Sequence, residues 1–178
     1  MKYVLSFAFA LMLGASTLFG QTNLKFAHVN VELILSYMPE YKTMGQQLQA
    51  QRKKYAEQLA IKENYGQQKL AEYLELAEVN PNSPDLKAKE DELRRLEAEI
   101  QKNASESERK LQVNQQKLLA PILEKMDKAI KAEAAASGYD YVFSDLDGNG
   151  TSVVLYAPEE RNLTKKVMKR LGIEVPTN

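Results

Sequence analysis

The residues Asn80-Pro81-Asn82-Ser83-Pro84 (NPNSP) interrupt a long stretch of helix-forming sequence near the middle of this 178-residue chain. No proline occurs from Glu40 to Val79, where Gln, Lys, Glu, Ala and Leu dominate, and a similar composition resumes from Asp85 to about Ser137. Two prolines among turn-forming residues end one helix and begin another. The sequence therefore predicts an antiparallel helical hairpin with arms of about 40 residues, each roughly 60 Å long.

Apolar residues recur along both predicted arms at spacings of three, four and seven, which is typical of a coiled-coil seam. On the first arm they are Tyr41, Met44, Leu48, Tyr55, Leu59, Leu70, Tyr73, Leu74 and Ala77, and on the second they are Leu86, Leu93, Leu96, Ile100, Leu111 and Leu118. Asn103, Ser107 and Asn114 fall where a strict repeat would place apolar groups. The pattern predicts a thin, weakly held seam in a hairpin that projects into solvent.

Residues 1–20 have the layout of a secretory signal peptide. Lys2 supplies a positive start, Val4 to Leu13 form an apolar run too short to span a bilayer, and Gly20 precedes the preferred cleavage point. No cysteine follows, so we expect no lipid anchor. We therefore expect the mature chain to work outside the cytoplasm.

The charge of the mature chain excludes some classes of partner. Without Lys2, 23 of the 24 basic residues remain against 24 acidic ones. A near-zero net charge argues against nucleic-acid binding, which draws on excess Lys and Arg. No GxxxxGK[ST] loop is present to cradle a nucleotide phosphate. We expect no ATP-driven activity.

The sequence on either side of the hairpin predicts a small α+β body. Alternating residues predict strands at Leu24–Val31, Tyr139–Ser144 and Ser152–Ala157, the last two joined by an Asn149-Gly150 turn. Short helices are expected at Val31–Tyr37 and after Asn162 as N-cap, and Gly138 and Gly172 are expected to end helices. The expected division is a β-rich body at residues 21–39 and 118–178, and a hairpin at 40–117 with its tip near 80–84.

The loop between the last two predicted strands resembles the start of a calcium site. Asp145, Asp147, Asn149 and Gly150 have the spacing of an EF-hand loop. The twelfth position, however, is Tyr156, which cannot bind Ca²⁺ with two oxygens, and both flanks are strand-like. The run therefore favours a hairpin turn, and no metal site is predicted.

No other group of residues indicates catalysis. His28 is the only histidine, so neither a two-histidine metal site nor a Ser-His-Asp triad with a spare base can form. We expect His28 to be a strand residue with a local hydrogen bond. The acidic residues of the second arm alternate with Lys and Arg, as on a solvated helix face. The chain is predicted not to be an enzyme and to need no cofactor.

The predicted body is small for a core that must stand alone, and three short strands leave open edges. Self-association through the body would enlarge the core and cover the open strand edges. Several hairpins would then project from one end. Flexible arms with thin apolar faces could hold an unfolded chain by many weak contacts, without fuel.

Three segments resemble the Skp/OmpH family of periplasmic chaperones. They are KFAHVNVELILSYMPEYK (25–42), LLAPILEKMDKAIKAEAAASGYDYVFSD (118–145) and NLTKKVMKRLGI (162–173). The resemblance covers essentially the whole mature chain, and the hairpin matches only as generic coiled coil. It implies a homotrimer with a β-rich body and three helical tentacles, which holds unfolded outer-membrane proteins in the periplasm independently of ATP.

One departure from the family affects the expected contacts. The best-studied members are strongly basic, whereas this chain is neutral and Glu72, Glu75 and Glu78 make the approach to the tip acidic. Membrane-surface and lipopolysaccharide contact therefore stay open, and apolar contacts should carry more of the client affinity. The expected client-contacting face is Tyr55, Leu59, Tyr65, Leu70, Tyr73, Leu74, Leu93, Leu96 and Ile100. The alternative reading is a structural coiled-coil spacer or adaptor of the cell envelope.

Overall fold

The computed structural model describes residues 23–174, so the predicted signal peptide lies outside the described residues. Two long helices and a small α+β body make up the described chain. The elements in chain order are β1 (Phe26–Val29), α1 (Val31–Tyr37), α2 (Pro39–Val79), α3 (Asp85–Ser137), β2 (Tyr141–Ser144), a 3-10 turn (Glu159–Arg161) and α4 (Thr164–Arg170). The order confirms the predicted α+β fold class with its helical hairpin.

The two long helices have the boundaries that the sequence predicts. α2 has 41 residues and begins at Pro39, where a missing backbone N–H needs no partner. α3 has 53 residues, continues through Pro121 and ends at Gly138, whose φ of 70° is left-handed. At the tip, the Ser83 N–H donates to the Asn80 carbonyl at 3.0 Å. The prolines around this turn prevent the chain from continuing as one helix.

The sheet differs from the predicted one. β1 and β2 pair in parallel, from Phe26 opposite Tyr141 to Val29 opposite Ser144. The expected strand at Ser152–Ala157 and its pairing with Tyr139–Ser144 are wrong, since only one antiparallel bridge forms there, between Leu146 and Ser152. Alternating residues favour an extended backbone but do not specify its partner. The described body thus holds two four-residue strands instead of three strands.

The core lies at the base of the hairpin, where the four helices and the two strands meet. Its fully buried centre comes from α1, the residue after it, and the start of α4: Ile34, Met38, Leu163, Val167 and Met168. Around this centre pack Ala27 and Val29 of β1, Met44 and Leu48 of α2, and Ile122, Met126 and Ala129 of α3. The two arms therefore share one core only at the start of α2 and over the last turns of α3.

Polar contacts fix α4 against its neighbours. The N-cap of α4 is Leu163 and not Asn162 as predicted, although the Asn162 side chain accepts a hydrogen bond from the Thr164 N–H at 3.0 Å. The buried Thr164 hydroxyl accepts from the Asn30 N–H at 2.9 Å. Glu133 of α3 accepts from Arg170 of α4 at 2.9 and 3.1 Å. These bonds join both termini of the described chain to the base of the hairpin.

Candidate functional site

The seam of the hairpin weakens away from the body. The α2 residues that face α3 follow steps of three and four from two buried residues, Met44 and Leu48. Beyond them every facing residue is only half-buried: Gln51, Tyr55, Leu59, Lys62, Gly66, Lys69, Tyr73 and Leu76. Between Leu59 and Tyr73 the α2 side of the seam therefore presents no apolar side chain. This distribution matches the thin seam that the sequence predicts.

Polar residues also interrupt the α3 side of the seam, as expected. Asn114 donates across the hairpin to Gln51 at 2.8 Å, so this pair is satisfied. Ser107 instead donates to the carbonyl of Asn103 in its own helix at 2.7 Å. The amide nitrogen of Asn103 is buried without a protein acceptor in bonding geometry, although Asn103 helps to lower the pKa of Glu99. A cleft of about 410 Å³ opens beside Asn103, with Tyr55 and Leu59 in its wall.

The nine residues expected to contact a client do not form one continuous face. Six are half-buried in the seam: Tyr55, Leu59, Tyr73, Leu93, Leu96 and Ile100. Tyr65, Leu70 and Leu74 are instead 46%, 46% and 57% exposed. The helical rotation of 100° per residue places Tyr65 on one flank of the seam, and Leu70 and Leu74 on the other. Their client contact stays a prediction.

Sequence reasoning missed parts of both flanks. Ile61, one turn before Tyr65, is 68% exposed and was not among the predicted contact residues. Gly66, Lys62 and Lys69 were not recognised as seam positions because none of them is apolar. A strict count in steps of three and four from Leu59 would have found all three. Apolar side chains thus lie exposed on both flanks, with lysines and a glycine between them.

Ion pairs cross the seam where apolar contacts are missing. Lys62 pairs with Glu99, and Lys89 pairs with Glu72 at 3.0 Å. These lysines lower the pKa of both carboxyl groups through hydrogen bonds, Lys89 being the main cause at Glu72 and Lys62 at Glu99. Exposed pairs of this kind contribute little stability. The outer hairpin is therefore held mainly by scattered half-buried apolar side chains, and the ion pairs add little.

The tip carries a net negative charge. Residues 69–92 contain three basic and seven acidic side chains, a net charge of −4 in a chain whose total net charge is zero. Val79, at the end of α2, is also strongly exposed. The tip is therefore acidic, as Glu72, Glu75 and Glu78 predict, and it also exposes an apolar side chain at Val79.

The body exposes an aromatic face on its sheet. The ring of Phe26 stacks on Tyr141 and Phe143, with centroids 5.5 and 6.0 Å apart, and all three side chains are exposed. Nearby, Leu155 and Tyr156 are 89% and 88% exposed. A contiguous apolar patch of this kind marks an interaction surface.

The acidic loop of the body uses its carboxylates for internal hydrogen bonds. Asp147 accepts from the N–H groups of Asn149 and Thr151, both at 2.8 Å. The bond from Thr151, followed by that from Asn149, lowers the pKa of the Asp147 carboxyl group. Gly150 has a left-handed φ of 81°, which a tight turn requires. The loop is a self-capped turn between extended segments.

His28 has the hydrogen bond expected of it. Its Nδ1 lies 2.6 Å from an oxygen of Asp145, the residue after β2, while its Nε2 is buried without a protein partner. The bond therefore joins β1 to the end of its parallel neighbour. Among residues 23–174 no group of three or more His, Cys, Asp or Glu side chains is placed to hold a metal ion.

A small α+β body that carries a long, thinly packed helical hairpin defines the class of this protein. Its sequence matches the family described as OmpH, outer membrane protein (OmpH-like), over residues 25–171. The chain belongs to this OmpH-like family, as the three segments quoted above predicted.

A solved structure has the same fold. It is the crystal structure of a candidate outer membrane chaperone (OmpH-like) from Caulobacter crescentus CB15, with a TM-score of 0.55 and 14% sequence identity. The alignment covers 89% of this chain and 91% of that chain. At this identity the likeness establishes the fold alone. No curated protein matches the sequence. In residues 23–174, no helix combines the length and apolar character that a membrane crossing needs.

Proposed function

We propose that this protein is an ATP-independent holdase chaperone of the periplasm, which binds unfolded outer-membrane proteins and prevents their aggregation in transit. The observation that carries the proposal is the exposure of large apolar side chains along a projecting hairpin. Ile61 and Leu74 are both more than half exposed, although they lie far from the body core. Such positions can contact an unfolded chain at many points without a single defined pocket.

Membership of the OmpH-like family and the chaperone description of the Caulobacter crescentus structure support this function. The geometry of the hairpin supports it over a structural spacer. A spacer needs a continuous apolar seam to transmit length and stiffness, whereas Lys62, Gly66 and Asn103 interrupt this one.

Self-association through the body is part of the proposal. The stacked rings of Phe26, Tyr141 and Phe143 and the extended segment around Leu155 present apolar surface that a second copy would cover. The family resemblance favours three copies. Three hairpins would then surround a shared space whose walls are the exposed flanks.

A refolding assay tests the function. A urea-unfolded outer-membrane β-barrel is diluted into buffer with an excess of the mature protein, and light scattering follows aggregation. We expect suppression without ATP, and we expect light scattering of the protein alone to give the mass of an oligomer. Unchanged aggregation at stoichiometric excess would refute the holdase, and a monomeric mass would refute the assembly.

A further inference from the structure

Gly66 lies at the one seam position of the outer hairpin that has no side chain. The neighbouring seam residues of α2, Lys62 and Lys69, direct their amines to Glu99 and Glu72. Opposite them, α3 presents the half-buried side chains of three apolar residues, Leu93, Leu96 and Ile100. Gly66 lies close to Leu96 and Ile100, since a Cβ atom there would be in van der Waals contact with both, but no side chain covers them from this position.

The gap above Gly66 forms a small apolar cleft, here called the Gly66 niche. It encloses about 280 Å³ and is lined by Gly66, Leu70, Leu93, Leu96 and Ile100. This volume is at the lower limit of small-molecule sites. One or two side chains of a polypeptide would fill it.

The fold does not need a glycine at this position. A Cβ atom at residue 66 would lie 3.5 Å from Leu96 and 3.6 Å from Ile100, which is ordinary van der Waals contact. Glycine inside a helix destabilises it relative to alanine. Glycine at residue 66 therefore leaves open a space that a side chain could occupy without a clash.

The edge of the niche carries uncompensated negative charge. Glu63 and Glu97 line it together with Gln67, and neither carboxylate forms an ion pair with another described residue. A ligand whose apolar group enters the niche therefore brings its neighbouring groups close to two carboxylates. A neighbouring Lys or Arg would complement them.

We propose that the Gly66 niche is a client subsite that receives one aliphatic or aromatic side chain of an unfolded polypeptide, preferentially one adjoined by Lys or Arg. This inference rests on the proposed holdase function and adds a location and a sequence preference to it. The contact is repeated once on each hairpin, so several copies in an assembly would act together.

The first test compares two glycine substitutions on the same helix. Gly66→Ala narrows the niche, whereas Gly45→Ala adds its methyl group where nothing lies within 4 Å. Both remove a glycine from α2, so we expect both to raise the melting temperature. Affinity for a urea-unfolded outer-membrane β-barrel is measured by fluorescence titration. We expect Gly66→Ala to weaken it severalfold, Gly66→Leu about tenfold, and Gly45→Ala to leave it unchanged.

The combination of higher stability and lower affinity separates a binding role from a structural one. Equal affinity losses in Gly66→Ala and Gly45→Ala would mean that helix rigidity matters, and would overturn the niche. Unchanged affinity in both Gly66 variants would overturn it as well. A changed oligomeric mass in Gly66→Ala would mean that a second copy fills the niche. In each case the wild-type protein still suppresses aggregation, whereas failure of the wild type refutes the holdase itself.

The second test addresses the charge preference. Two labelled Gly/Ser peptides are compared, one with a central Phe-Lys pair and the other with Phe-Glu. We expect the wild type to prefer the Phe-Lys peptide, and the Glu63→Gln/Glu97→Gln double variant to lose the preference while its affinity for the Phe-Glu peptide holds or rises. A preference that persists in the double variant would overturn the role of these carboxylates.

Discussion

Replacing Asn103 with leucine should stabilise the middle of the hairpin. The buried amide nitrogen of Asn103 has no protein acceptor in bonding geometry, and such a group costs about 1–3 kcal/mol. A half-buried leucine at the same position would add roughly 1 kcal/mol of apolar burial against Tyr55 and Leu59. Helix propensity contributes a few tenths of a kcal/mol. We therefore expect the free energy of local opening to rise by about 2–4 kcal/mol.

Hydrogen exchange on the full mature chain measures this change directly. A rise of that size slows exchange of the amides around Tyr55 and Leu59 by roughly 30- to 800-fold if opening is local. Ser105→Leu is the matched control because Ser105 is exposed on the same helix, two residues away. Leucine at residue 105 changes the helix propensity by a similar amount, but it does not contact the seam between the two arms. Equal exchange rates in the two variants would show that the polar seam does not limit stability, and the reasoning would be refuted.

Three further changes test the body. Arg170→Ala should lower the free energy of unfolding by about 1 kcal/mol at pH 7, because Arg170 lowers the pKa of Glu133. A lowered carboxyl pKa stabilises the folded state only above the ordinary value of 4.5. The difference between wild type and variant in urea titrations should therefore fade below that pH. A difference that persists at pH 3 would assign the effect to packing. Met168→Ala should lower the free energy of unfolding by about 2–4 kcal/mol, since Met168 is fully buried, and a loss under 1 kcal/mol in the same titration would contradict this core. Gly138→Ala should cost about 1–2 kcal/mol because its φ is 70°, whereas Gly148→Ala, without a left-handed φ or close neighbours, should change the melting temperature little.

The hairpin was predictable because its signals are local. The prolines around Asn82, Pro39 at the first position of α2 and Gly138 at the end of α3 each act within one turn of backbone. The polar interruptions at Asn103 and Asn114 were also visible as departures from a repeat. These features follow from neighbouring residues, and they required no knowledge of distant partners.

The sheet was not predictable in the same way. β2 pairs with β1, which lies on the far side of the hairpin, and not with the segment that follows it. The alternation in Ser152–Ala157 predicts a strand, but within one chain this segment has no strand partner and exposes Leu155 and Tyr156. Periodicity indicates an extended backbone, whereas the choice of partner depends on residues more than a hundred positions away.

The faces of the long helices were only partly predictable. Leu70 and Leu74 were assigned to the seam because leucine is apolar, yet both are exposed while Gly66 and Lys69 face α3. At each turn the next seam residue can lie either three or four positions further along the helix. Packing against the partner helix decides which of the two it is. The client-contact residues remain a prediction for this reason, and the Gly66 niche could not be read from the apolar pattern.

The parallel pairing of β1 with β2 makes the whole hairpin an insertion between two adjacent strands. Pairing of the two arms returns the chain to the body, where Phe26 lies opposite Tyr141 and Val29 opposite Ser144. The long intervening chain therefore imposes little additional loop entropy on the sheet. Equal numbers of residues can therefore be removed from both arms, or added to them, without altering the strand register. The length of the hairpin and the structure of the body are therefore independent in this architecture.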